Sequence, residues 1–194
     1  MASRMYTDII RAYKNNQRVR SMNSAGTMIC VSAKNSDTFI NKDNGSKLHV
    51  ALIPVSAIID HIEMCFSDSI SASKGILQIG FYGINQAGDF VEIKKDALGE
   101  IELGSLAADT YKAMTPSIQT FGKTVYELLC ETVNGHITPL ETFKPFANRE
   151  NIVLSFTVKT KNDTTNPQTC CISVVYMNGA PSTTSLTTLT IDKE

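Results

Sequence analysis

The chain has no tryptophan, no marked excess of either charge and no long apolar run, and each absence excludes something. A formal net charge of -1 gives the molecule as a whole no strong pull toward polyanions or anionic membranes. No apolar stretch approaches the ~20 residues that a bilayer-spanning helix needs. The N-terminus lacks the apolar core of a secretory signal because arginines interrupt it, so the protein is expected not to be secreted. The five cysteines (Cys30, Cys65, Cys130, Cys170 and Cys171) are odd in number and show no paired spacing. Buried, reduced thiols in a reducing compartment are therefore expected in place of a disulfide framework.

Catalytic motifs are equally scarce. Gly75, Gly80 and Gly83 lie close together, but no lysine and hydroxyl complete a phosphate-binding loop, and the dinucleotide spacing is missing. Inside strand-like sequence such glycines mark bulges or close backbone approach. His49, His61 and His136 have no evident nucleophile beside them, which leaves an acyl-transfer triad unsupported. Asp60, His61 and Glu63 form the densest acid–imidazole cluster. On a strand His61 and Glu63 would share a face, yet two ligands do not make a metal site. Cys170 and Cys171 are adjacent, and in a strand adjacent side chains point to opposite faces, so Cys170 reads as a small buried hydrophobe. No enzyme, metal or cofactor is expected.

What the chain does have is alternation. In Asn151–Lys159 the apolar residues Ile152, Leu154, Phe156 and Val158 fall on one face, with Ser155, Thr157 and Lys159 on the other. Cys170, Ile172, Val174 and Tyr176 resume the same period of two beyond Lys161–Pro167. These segments read as two strands folded back on each other around an Asn/Asp/Pro turn. Further strands are expected at 26–33 and at Leu48–Ile53. In 55–66, Val55, Ile58, Ile59, Ile62 and Phe66 fit a helical face while Ile58, Ile62, Met64 and Phe66 fit one side of a strand, and the alternation in the next segments favours the strand. Ile76–Ile84 and Asp89–Lys94 read as a hairpin around Asn85-Gln-Ala-Gly88. Gly99 and Gly104 are expected to break any long element in 96–116.

Two helices are expected. Residues 3–20 place Tyr6, Ile9, Ile10 and Tyr13 on one side. Ser117–Val133 carries the stripe Ile118, Phe121, Val125, Leu128, Leu129 and Thr132, with Asn134-Gly135 as its stop. His136–Asn148, with Pro139 and Pro145, reads as a connecting loop, and Leu186, Leu189 and Ile191 suggest a last edge strand. Short strands with one or two inserted helices give a mainly β chain: an antiparallel, jelly-roll-like β-sandwich with an N-terminal helix and an inserted helix near 117–133. Its division is a basic arm over 1–24 and a single sandwich domain over 25–194.

The arm concentrates charge. Arg4, Arg11, Lys14, Arg18 and Arg20 are opposed only by Asp8, so these five are the candidate nucleic-acid-binding residues, acting by phosphate neutralisation. Tyr6 and Tyr13 could stack on bases. The competing reading is a helix that is solvated or docks another copy.

The basic arm, the strands, the helical insertion near 117–133 and the final long strands ending in Thr169-Cys-Cys-Ile-Ser-Val-Val-Tyr176 together resemble jelly-roll coat proteins of small RNA viruses. The order of Ser56–Ile84, the 117–133 segment and Cys171–Tyr176 is also similar to the thirty-kilodalton plant-virus movement proteins. Lys144-Pro-Phe146 ahead of the 151–160 strand gives a weaker likeness to rhabdovirus-like matrix proteins. The coat-protein resemblance implies a non-enzymatic viral structural subunit, in the virion or host cytoplasm. Such a subunit would self-associate into a shell or layer and contact RNA or viral nucleoprotein through its N-terminus. A movement protein binding single-stranded RNA at cell junctions is the first alternative. A small enzyme or ligand-binding sandwich, with a pocket at His61 and Glu63, is the second.

Overall fold

The computed structural model describes residues 4–6, 28–35, 39–67, 70–106, 108, 111–114, 122–162 and 169–178. Among the described residues eleven strands carry the fold: β1 (Arg4–Tyr6), β2 (Met28–Asn35), β3 (Lys47–Pro54), β4 (Ala57–Phe66), β5 (Ile70–Ile84), β6 (Phe90–Leu106), β7 (Tyr111–Met114), β8 (Cys130–Val133), β9 (His136–Pro139), β10 (Asn151–Thr160) and β11 (Cys170–Asn178). One sheet has the order β1-β3-β10-β5-β6 and a second the order β2-β11-β4-β7, while β8 and β9 form a separate ribbon. Setting β1 and the ribbon aside, the chain passes from sheet to sheet at every connection except the β5–β6 hairpin. That path, with antiparallel pairing throughout the eight strands, is the double Greek key of a jelly roll.

The alternation read in the sequence explains the packing. Ile152, Leu154, Phe156 and Val158 of β10 and Cys170, Ile172, Val174 and Tyr176 of β11 are all buried in one core with Leu48, Ile62, Met64, Ile79 and Phe81. The two strands are nevertheless not folded back on each other as a pair. β10 is hydrogen-bonded between β3 and β5, and β11 between β2 and β4. Their apolar faces meet across the sandwich, and a period of two serves that arrangement as well as it serves pairing.

The long β5–β6 hairpin tolerates its glycines by bulging. Ile79 pairs with Gly99 and Phe81 with Lys94, so the residues between Lys94 and Gly99 loop out opposite Gly80. A Cβ on Gly80 would lie 2.0 Å from the Lys94 carbonyl oxygen. No side chain fits there. Gly99 and Gly104 take positive φ within β6 and do not end it.

Three expected elements come out differently. Arg4–Tyr6 is a strand, paired in parallel with Lys47–His49, where a helix was expected; the edge of β3 offers its backbone ladder partners. Residues 7–20 of that expected helix lie outside the described residues, as do 117–121 of the second helix and the 186–191 segment. The inserted helix is one turn, Val125–Leu128, and Cys130–Val133 is already strand. Asn134 and Gly135, at φ 50 and 80, form the tight two-residue turn of the β8–β9 hairpin and do not cap a helix. An Asn-Gly pair suits both roles, because each needs positive φ, and here the flanking strand-forming residues prevail. The first part of the expected 136–148 loop is consequently β9.

The short helix has its own start signal. Thr124 Oγ1 accepts from Glu127 N at 3.2 Å, and Glu127 Oε2 accepts from Thr124 N at 2.8 Å, a complete capping box. Tyr126 N donates to the Val55 carbonyl at 2.8 Å, pinning the helix to the β3–β4 turn. Val125, Leu128 and Leu129 then close one end of the core.

Phe156 is 0% exposed on a strand hydrogen-bonded on both sides. Phe156→Ala is expected to lower unfolding free energy by about 3–5 kcal/mol. Urea denaturation followed by circular dichroism measures it, and a loss below about 1 kcal/mol would contradict this packing.

Candidate assembly surfaces

With the interior filled by side chains, function falls to faces, edges and the projecting ribbon. Ribbon β8–β9 bears the most exposed large apolar residues described: Val133 is 45% and Ile137 is 53% exposed. They stand beside the tight turn on a two-stranded hairpin that pairs with neither main sheet. An isolated ribbon has no internal reason to show both residues to water.

The outer face of the five-stranded sheet is polar but closed. His49 Nδ1 and Ser155 Oγ lie 2.7 Å apart on β3 and β10, and both residues are 0% exposed. This pairing was invisible in the sequence, where 106 positions separate the two. Phe90 stacks on the imidazole at 4.1 Å and the Tyr82 ring meets it edge-on at 5.2 Å. A reactant cannot reach that hydroxyl, so the pair satisfies buried polar groups and offers no nucleophile. Around it, Tyr82 donates to Glu92 at 3.0 Å and Lys47 Nζ donates to the same carboxylate at 3.1 Å. At the solvent edge the Lys159 ammonium, with help from the Gln78 amide, holds the Glu100 carboxyl below its usual range.

The outer face of the four-stranded sheet carries the acid–imidazole cluster. β4 pairs Val175 with His61 and Tyr176 with Ile59, leaving Asp60 as the extra residue of a bulge. The bulge lets neighbours converge: Asp60 Oδ2 lies 2.6 Å from His61 Nδ1, and Glu63 Oε1 lies 3.8 Å from His61 Nε2. Among the described residues, no three His, Cys, Asp or Glu side chains are grouped so as to hold a metal ion. Adjacent Cys170 and Cys171 point to opposite faces, the first buried and the second exposed.

Of the five expected nucleic-acid residues, Arg4 lies in β1, its backbone in register with Lys47 at the edge of the five-stranded sheet. Arg11, Lys14, Arg18 and Arg20 lie outside the described residues.

No protein-family model and no curated protein matches the chain. Among solved structures it is similar to a chain in the capsid of Ralstonia phage GP4, with a TM-score of 0.57 at 10% identity, covering 92% of this chain and 100% of that one. It also matches a chain in the acidic stable capsid of Helicobacter pylori bacteriophage KHP30, with a TM-score of 0.41, 14% identity and 81% and 92% coverage. A chain of the cyanophage Pam1 capsid asymmetric unit matches with a TM-score of 0.37, 14% identity and 84% and 94% coverage. The chain shares its fold with that GP4 capsid chain. The likeness to the GP4 capsid chain extends over that chain's whole length, so the jelly roll is shared as a unit.

The thiols give a direct check on the two faces. Burial pushes the Cys170 thiol far up, with the nearby Cys171 and Cys65 adding to the effect, and burial pushes Cys130 up to about 11. A raised pKa leaves less thiolate at a given pH. In native protein at pH 8.5, exposed Cys30 and Cys171 are expected to alkylate first and Cys130 and Cys170 only on unfolding, as read by mass spectrometry. Early labelling of Cys170 would reverse the assignment of faces.

Proposed function

We propose that the protein is a non-enzymatic structural subunit of a viral capsid, resident in the virion, that associates with copies of itself. The observation that carries this reading is the complete double Greek key, matched over the full length of a phage capsid chain. A jelly roll closed by a side-chain core leaves its edges and loops for repeated contacts, and symmetric assembly multiplies weak ones. The β8–β9 ribbon is the contact proposed here, because burying Val133 and Ile137 against another copy removes apolar surface from water. A movement or matrix role gains no support from the fold.

Within this reading, residues 1–24 act as an arm on a sandwich of 25–194. Arg4, Arg11, Lys14, Arg18 and Arg20 contact the phosphates of RNA or nucleoprotein. The support is their concentration at one end of a chain whose formal net charge is only -1.

Two experiments test the parts separately. Val133→Asp with Ile137→Asp is expected to weaken association at least about tenfold in sedimentation, as loss of an interface anchor does, without lowering the melting temperature. Undiminished association would remove the ribbon from the contact. Arg11→Ala, Arg18→Ala and Arg20→Ala together are expected to flatten the dependence of log affinity on log salt by about 0.7 per lost contact on single-stranded RNA. Unchanged affinity and slope would end the nucleic-acid role of the arm.

A further inference from the structure

Within the two main sheets, β1 is the one described strand outside the double Greek key. The two Greek keys close with β2–β7, β10 and β11 alone, and β1 adds outside them, on the open side of β3. Its pairing with β3 is the only parallel pairing among the described strands. Three residues, Arg4, Met5 and Tyr6, sit in register with Lys47, Leu48 and His49. An element added to a completed sheet edge can be removed without opening any pairing between the other strands.

The tether is long. Residues 7–27, about 21 of them, lie between β1 and β2, and a chain of that length spans up to roughly 70 Å when extended. That reach exceeds the diameter of a small domain, about 30 Å. The strand is therefore not confined by chain length to its own β3. A three-residue ladder is also too short to exclude a competitor. Each parallel backbone bond is modest in net value.

Resting on the self-association proposed above, we infer that Arg4–Tyr6 is a strand-exchange element: in the assembled state it pairs with the β3 edge of a second copy. The partner edge is chemically identical to the one it occupies here, so no new contact has to be invented. Exchange of an identical element is a low-cost route to association. Strand addition to an open edge supplies main-chain hydrogen bonds whatever the side chains. Within a shell, neighbouring β3 edges stand at high effective concentration, which favours pairing between chains. Exchange also covers an open edge that would otherwise invite indiscriminate pairing.

The test places single cysteines on the two sides of the pair. Arg4→Cys is made in one chain and Lys47→Cys in another, and the two are co-expressed, assembled and oxidised with diamide. Two thiols become one disulfide as diamide is reduced to the hydrazine. Partner residues on adjacent strands lie about 4.8 Å apart, inside the Cα range of a disulfide. Because neither chain carries both cysteines, a peptide pair linking positions 4 and 47 arises only between chains. That linked pair is expected in assembled material and is expected to fall at least about tenfold when the subunits are dissociated by dilution.

A single chain carrying both substitutions is the control. If assembled double-variant protein links positions 4 and 47 only within one chain, while the co-expressed pair yields no link, exchange is overturned and self-association stands. If wild-type chains remain monomeric at every salt and protein concentration tried, self-association falls and exchange falls with it. Mass spectrometry of non-reduced digests separates these links from any made by native Cys30 or Cys171.

Discussion

The structure depends on the position of β10. Its backbone is hydrogen-bonded to β3 on one side and β5 on the other, and both of its faces are covered from Ile152 to Val158. A strand so placed has no free backbone donors or acceptors along most of its length and presents no side chain to solvent there. The inner face, with Leu154 and Phe156, joins the two sheets; the outer face, with Val153, Ser155 and Thr157, anchors a second layer. The ends of β10 are bound as well. Gly45 N donates to the Val158 carbonyl at 2.7 Å and Val158 N donates to the Ser46 carbonyl at 2.9 Å. Greek-key crossovers can pass between the sheets because this strand fixes the sheets' separation and register.

Around that strand the polar groups are consumed by structure. His49 with Ser155, Tyr82 with Glu92 and Thr157, and Gln78 with Glu100 are each the kind of pairing that suggests chemistry in a sequence. Here they lie on a sheet face where Phe90 stacks on His49 and the Lys47 ammonium sits over the Tyr82 ring, and they satisfy one another. A protein built this way offers shape and edges to a partner. Among the described residues its exposed features are the β8–β9 ribbon and the outer edges of the two sheets.

Sequence and structure agree where a pattern is local. Period-two alternation located β3, β4, β10 and β11, including the 55–66 segment that also fits a helical face, because a half-buried strand writes its environment into every second residue. The Asn85–Gly88 turn was legible for the same reason. The 117–133 stripe failed because three features overlap in it: a one-turn helix, the exposed β8 strand and residues packed on the core. Thr124-Val-Tyr-Glu127 did carry a readable capping-box signal, which marks where that helix begins. On the surface, the exposure of Val133 and Ile137 had no sequence signature, since an apolar residue reads as core until its neighbours are known.

The sequence by itself determined that the chain is a β-sandwich, which residues of β10 and β11 face inward, and that Cys170 is buried; the exposure of Cys30 and Cys171, against the expectation of buried thiols, came from the fold. These follow from backbone geometry, which sends successive side chains to opposite faces wherever a strand forms. Tertiary structure alone decided which strands pair. β10 and β11 satisfy the same alternation as hairpin partners or as opposing walls, and the choice went to the walls because β3 and β5 take both edges of β10. It alone brought His49 to Ser155, made Asp60 a bulge beside His61, and set Arg4–Tyr6 on the edge of β3. Contacts between distant segments depend on the free energy of the whole packed arrangement, and no local pattern of residues encodes them.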